Sequence, residues 1–165
     1  MVILGIDPGY AIVGVGVVNY IGNKFELLEA RAVTTQAGTA FTQRLAEIYE
    51  GVAKIIAGHK PAAMAIEKLY FNTNTTTAID VAQARGVILL AAARAAVPVF
   101  EYTPLQVKQS VVGYGRAEKK QVQDMTRLLL NLTACPKPDD VADALAIAIC
   151  HAHSASNLQF VMRNS

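Results

Sequence analysis

The sequence predicts a mixed α/β fold: one sheet of three antiparallel strands then two parallel strands, flanked by helices. Three observations carry this. Strand-like runs at 2–6, 11–19 and 24–34 are separated by short turn signals, ProGly at 8–9 and GlyAsn at 22–23, which suits an antiparallel meander. Helical and strand patterns then alternate. The remainder, from 104 onward, reads as helices covering the sheet.

In the second strand, Val13, Val15 and Val17 point to one face and Gly14 and Gly16 to the other. Residues 41–57 place Leu45, Ile48, Val52, Ile55 and Ile56 at helical spacing, with Gly58 as the expected stop. Residues 62–66 form a short buried strand. An Ala- and Leu-rich helix spans about 76–96, and "VPVFEY" at 97–102 is the fifth strand. Helices follow at 104–111, 118–132 and 140–154. "NTNTTT" at 72–77 reads as an exposed loop. No repeat or linker divides the chain, so residues 1–165 are expected to form a single domain.

At 53% hydrophobic and 17% charged, the chain is globular rather than disordered. No apolar run reaches the roughly 18 residues that span a bilayer, and no signal-like segment opens the chain. A soluble cytoplasmic protein is expected. Cys135 and Cys150 lack metal-ligand spacing and read as buried free thiols of a reducing compartment. The net charge of +2 is too small to indicate a partner. Its distribution says more: Arg85 to Arg127 holds seven bases against three acids, compatible with an anionic partner.

Four carboxylates stand out. Asp7 interrupts the apolar run "LGIDPGYAIVGVG". Strand alternation sets it opposite to Ile6, at the end of the first strand, and sets Glu67 opposite to Ile66 at the end of the fourth. If those strands are parallel neighbours, both acids emerge at one sheet edge, where open α/β sheets bind ligands. In "KPDDVADALAIAICHAH", Val141, Leu145, Ala148, Ile149 and Ala152 form the core stripe. Asp140 and Asp143, three apart, share a different face near the favourable end of the helix dipole. Asp139 is the expected N-cap. Each acid alone also suits a turn or a helix start. Their joint placement points to one cluster, in which like charges raise each other's pKa unless a cation intervenes. Carboxylate-only ligands favour Mg²⁺. Two such ions, roughly 3.5–4 Å apart, suit phosphodiester cleavage.

The segments "GIDPGYAIVGVGVV", "AIEKLYFNTNTTTAIDVAQARGVILLAAA", "YTPLQVKQSVVGYGRAEKKQVQDM" and "DDVADALAIAICHAH" resemble the bacterial RuvC Holliday-junction resolvases, in that family's order and nearly to the chain's end. The resemblance implies an RNase H-like fold, a homodimer, and Mg²⁺-dependent nicking of four-way DNA junctions with Mn²⁺ as a substitute ion. It also implies work beside the RuvA–RuvB branch-migration machine in recombination and repair. The family's catalytic carboxylates fall on Asp7, Glu67, Asp140 and Asp143; some relatives carry histidine where Asp140 stands. Its DNA-contacting lysines fall on Lys108 and Lys119, and its junction-probing aromatic on Tyr70, where several relatives have phenylalanine.

Phosphate contacts by Lys and Arg would supply most of the affinity for a junction. Lys119 and Lys120 open a helix and can reach outward or be merely solvated. Lys108 lies in an amphipathic segment. "GYGR" at 113–116 offers Arg116 on a Gly-flexed loop, as phosphate contact or ordinary turn. Tyr70 and Phe71 follow Glu67, and a ring stacked on an unpaired base contributes roughly 1–3 kcal/mol. The Ala-rich helix is apolar on more than one side, as burial plus a two-fold contact would require. His59, His151 and His153 lack ligand geometry; His151 lies roughly 12 Å along the helix from Asp143 and is expected to be structural or to support the site's residues from behind.

Other readings are weaker. A sugar or acetate kinase shares the opening Asp–Gly turn but needs a much longer, duplicated chain. No GxxxxGKS/T loop is present. A junction-binding protein without catalysis and a ribonuclease H remain as alternatives that a cleavage assay separates.

Overall fold

The computed structural model describes residues 1–69 and 75–163, with side chains outside 75–76 and 157–163. The elements are β1 Val2–Asp7, β2 Ile12–Ile21, β3 Lys24–Thr34, α1 Phe41–His59, β4 Ala63–Glu67, α2 Thr75–Arg94, β5 Val99–Tyr102, α3 Pro104–Val112, α4 Lys119–Leu129 and α5 Asp139–Arg163. The strand order is β3-β2-β1-β4-β5. The first three strands pair antiparallel, and β4 and β5 continue the sheet in parallel. This is the sheet that the sequence predicts.

Strand alternation divides the core in two. Leu4, Ile6, Val13, Val15, Val17, Met64 and Ile66 face α1 and α2. Ile3 and Ala65 face the layer of α3, α4 and α5. Val18, with the parity of Gly14 and Gly16, faces that second layer too, and the register shift between Val17 and Val18 leaves Leu28 of β3 without a partner.

Helix α5 seats its backbone directly on the sheet at two points. Gly5 pairs with Gly16, and Asp7 with Gly14, across the β1–β2 ladder. A Cβ at Gly14 would stand 1.9 Å from the Asp140 carbonyl oxygen, and one at Gly5 would stand 2.0 Å from that of Ala144. Glycine here makes room for a helix backbone, where β-branched residues would otherwise favour the strand.

Several boundaries differ from expectation. Helix α1 runs past Gly58 to His59; Lys60, in the left-handed region at φ 47°, ends it, with Pro61 next. Strand β5 starts at Val99 because the Val97 amide turns back to the Ala92 carbonyl at 3.0 Å. Helix α4 ends at Leu129 and α5 extends to Arg163. The stripe expected on α5 is instead buried on every side from Ala144 to Ala152, since α3 and α4 cover the face away from the sheet. Cys150 is buried, but Cys135 is only half-buried; neither is in a disulfide. Among the described residues, no helix is long and apolar enough to cross a membrane.

Candidate active site

Strands β1 and β4 are parallel neighbours with Ile6 opposite Ile66, so Asp7 and Glu67 come next on each strand at the same level. Both share the parity of Gly5 and Ala65, so both face α5. Gly14, the ladder partner of Asp7, lies beneath the Asp140 backbone, which brings the first turn of α5 over the strand end. Asp143 follows one turn later. It lines a cleft of about 280 Å³ together with Glu67, Lys108 and Lys119.

Charge couples all four acids. Burial pushes the Asp7 carboxyl up to about 7, with further increments from Glu67, Asp143 and Asp140, against a lowering by Lys119. Glu67 is likewise raised, by burial first and Asp143 second. Lys119 Nζ donates to Asp143 Oδ2 at 2.8 Å and stands 3.8 Å from Asp139 Oδ2. That hydrogen bond holds the ammonium above its ordinary pKa.

The four acids influence one another's charge but do not form a ready ligand cage. Among the described residues, no three acidic, histidine or cysteine side chains stand close enough to hold one ion. Carboxylates without a shared counter-ion repel, and Lys119 holds Asp143 to itself. The donor set still suits a hard divalent cation. It is all carboxylate oxygen, and a cation there would offset both the burial and the mutual repulsion that raise Asp7.

Lys108 is half-buried on α3 and faces the same cleft. A capping box fixes the start of that helix: Thr103 Oγ1 accepts from the Gln106 amide at 3.1 Å, and Gln106 Oε1 from the Thr103 amide at 2.9 Å. Arg116 is exposed on the α3–α4 turn, outside the cleft lining. Lys120 is exposed on α4. Tyr70 and Phe71 lie outside the described residues.

Asp139 is not the expected cap. It is the first residue of α5, and its carboxylate accepts from Lys137 Nζ at 2.6 Å. His151 is structural, as expected. Its Nδ1 lies 2.8 Å from the Tyr102 hydroxyl, its ring centroid 4.5 Å from that of Phe100, and burial lowers its pKa. Tyr102 is the register partner of Glu67, so this buried pair underpins the strand end that carries the acid. Sequence reasoning missed Gly5 and Tyr102. The signal for Gly5 was present: it shares one sheet face with Gly14 and Gly16 of β2, and α5 answers with Ala144 and Ala148.

A larger hollow of about 600 Å³ opens near Tyr20, Gln109 and His153, but among the described residues no acidic, lysine or arginine side chain lines it.

Residues 3–151 match the family described as Crossover junction endodeoxyribonuclease RuvC. The chain belongs to the RuvC family. The RuvC of Alkaliphilus metalliredigens is 62% identical over 154 residues, covering 93% of this chain and 94% of the relative. That of Ruminiclostridium cellulolyticum is 59% identical, covering 93% of each. Among solved structures, Thermus thermophilus RuvC is 40% identical with a TM-score of 0.89, covering 94% of this chain and 96% of the other. The same protein in complex with Holliday junction substrate superposes at a TM-score of 0.90, with 40% identity and 94% coverage of both chains. A yeast mitochondrial Holliday junction resolvase, 13% identical at a TM-score of 0.67, shares the fold. Membership in the RuvC family makes this chain an endodeoxyribonuclease and implies dependence on a divalent metal.

Proposed function

We propose that this RuvC-family chain resolves four-way DNA junctions by paired symmetric nicks during homologous recombination and repair, leaving 5′-phosphate and 3′-hydroxyl ends. The observation that carries the reading is the placement of Asp7 and Glu67 on adjacent parallel strand ends, beneath Asp140 and Asp143, with two lysines facing the same cleft. A 40% identical neighbour is described in complex with Holliday junction substrate, which supports the choice of DNA.

In this reading Asp7, Glu67, Asp140 and Asp143 are the catalytic carboxylates and hold Mg²⁺, two ions per site, with Mn²⁺ as a substitute. When bound, the metal supplies Lewis-acid polarisation of the scissile phosphate and activation of the attacking water. The protein does the rest. The β1–β4 register fixes Asp7 against Glu67, and α5 carries the other two acids. Lys119 releases Asp143 and offers its ammonium to a phosphate oxygen, while Lys108 lines the approach. Arg116 extends the phosphate track, and Tyr70 stacks at the branch point. Two sites related by a two-fold suit a junction with two strands to cut. Exposed Ile79 and Leu90 on α2 give that homodimer an apolar face. RuvA–RuvB is the proposed partner machine and the cytoplasm the proposed compartment.

The deciding assay incubates the protein with a four-way junction, a linear duplex and an RNA–DNA hybrid, in Mg²⁺ or EDTA. Symmetric nicking of the junction alone, only in Mg²⁺, is the expected result. Cleavage of the hybrid instead of the junction would make the chain a ribonuclease H. Tight junction binding with no cleavage would make it a binding protein.

Lys119→Ala is expected to weaken junction binding and to flatten its log–log salt dependence by about one unit, as loss of one phosphate contact does. Titration by fluorescence anisotropy across salt concentrations measures this. An unchanged slope would confine Lys119 to its pairing with Asp143.

A further inference from the structure

The turn that leaves Asp7 is clamped from outside the carboxylate cluster. Residues 8–11 join the strand end that carries Asp7 to the strand that carries Gly14, the seat of Asp140. The Tyr10 carbonyl accepts from Thr35 Oγ1 at 2.7 Å and from Arg44 Nη2 at 3.3 Å. Arg44 Nε donates to the same Thr35 hydroxyl at 2.8 Å. The guanidinium carbon also lies 4.7 Å from the centre of the Tyr10 ring. One backbone link completes the assembly, from the Thr35 amide to the Ala11 carbonyl at 3.0 Å.

We propose that Arg44 is a positioning residue for DNA cleavage. Acting through Tyr10 and Thr35, it ties the 8–11 turn to the first turn of α1 and the end of β3. It thereby fixes where Asp7 leaves the sheet and where the strand that seats Asp140 begins. The inference rests on the nuclease reading above. Arg44 serves the turn with two donor atoms and one face of its plane, a combination that a lysine cannot supply. The ladder already sets the register of β1 and β2, so the clamp governs only small displacements at the strand end. Cleavage is sensitive on that scale: a displacement of about 1 Å can cost about a hundredfold in rate.

The test compares the wild-type chain with Arg44→Ala, Arg44→Lys and Thr35→Val. Ile48→Val, in the buried face of α1, serves as a control for general loosening. Single-turnover cleavage of a four-way junction at saturating protein and Mg²⁺ gives the rate. Anisotropy in EDTA gives junction affinity and its salt dependence. Arg44→Ala is expected to cleave about tenfold more slowly with affinity within about twofold of wild type. Arg44→Lys should recover part of the rate, and Thr35→Val should match Arg44→Ala.

An unchanged rate in Arg44→Ala would overturn the proposal. So would a loss no greater than that of Ile48→Val at equal thermal stability. Weakened binding with a flatter salt slope would make Arg44 a phosphate contact instead. Failure of the wild-type chain to cut any junction would refute the nuclease reading itself, and the positioning role with it.

Discussion

Asp7→Asn is expected to lower junction cleavage by about three orders of magnitude and leave junction affinity in EDTA nearly unchanged, because only the reaction needs that carboxylate. The same variant should be more stable than wild type in EDTA at pH 8. An aspartate in the unfolded chain ionises near 3.8, whereas Asp7 in the fold ionises at about 7. Between those values the native state keeps a proton that the unfolded chain has released. Stability from this group is therefore full below about pH 4, declines as pH rises, and is lost above about 7. A neutral amide escapes that penalty, and after allowing for partial solvation the gain is about 2 kcal/mol. It should vanish near pH 4. Mg²⁺ should raise the melting temperature of wild type and do so far less for the variant. Equal melting temperatures at pH 8 in EDTA would show that Asp7 bears no electrostatic strain. Wild-type cleavage by Asp7→Asn would remove it from the reaction.

Gly14→Ala should be strongly damaging. The added methyl would stand 1.9 Å from the Asp140 carbonyl oxygen, so α5 itself must move. It cannot tilt freely, because Gly5 holds it against the sheet at Ala144 as well. Overpacking of this kind costs about 3 kcal/mol or more when backbone opposes the new atom. It also lifts Asp140 away from Asp7, so cleavage should fall even under conditions where the chain remains folded. Gly58→Ala is the matched comparison: on α1, nothing lies within 4 Å of the place its methyl would take. There, alanine should be neutral or stabilising by up to about 1 kcal/mol. Urea midpoints compare the two. Similar midpoints would mean that the helix does not need this seat.

The candidate site was legible where one period governs. Alternation along β1 and β4 put Asp7 and Glu67 on the α5 face, and a spacing of three put Asp140 and Asp143 in neighbouring turns of one helix. It was not legible where separate elements meet. Lys119 pairs with Asp143 because the α3–α4 turn brings the start of α4 back to α5, which no local pattern encodes. The all-round burial of α5 follows from that same covering layer. Asp139 looked like a cap because it precedes the apolar stripe, yet Lys137, two residues away, captures its carboxylate. Lys60 ended α1 in place of Gly58 because Gly58 meets no obstacle to staying helical.

The glycine seat under α5 also bears on accuracy of assembly. Where a layer of side chains separates helix from sheet, each rotamer choice adds its own spread to the distance between groups carried on either side. At Gly5 and Gly14 one backbone lies directly against another. The spacing between the strand-borne acids and the helix-borne acids then depends on peptide geometry, the stiffest dimension a protein has. Drift elsewhere in the core can change how firmly the halves are held, but it has little leverage over how far apart they stand.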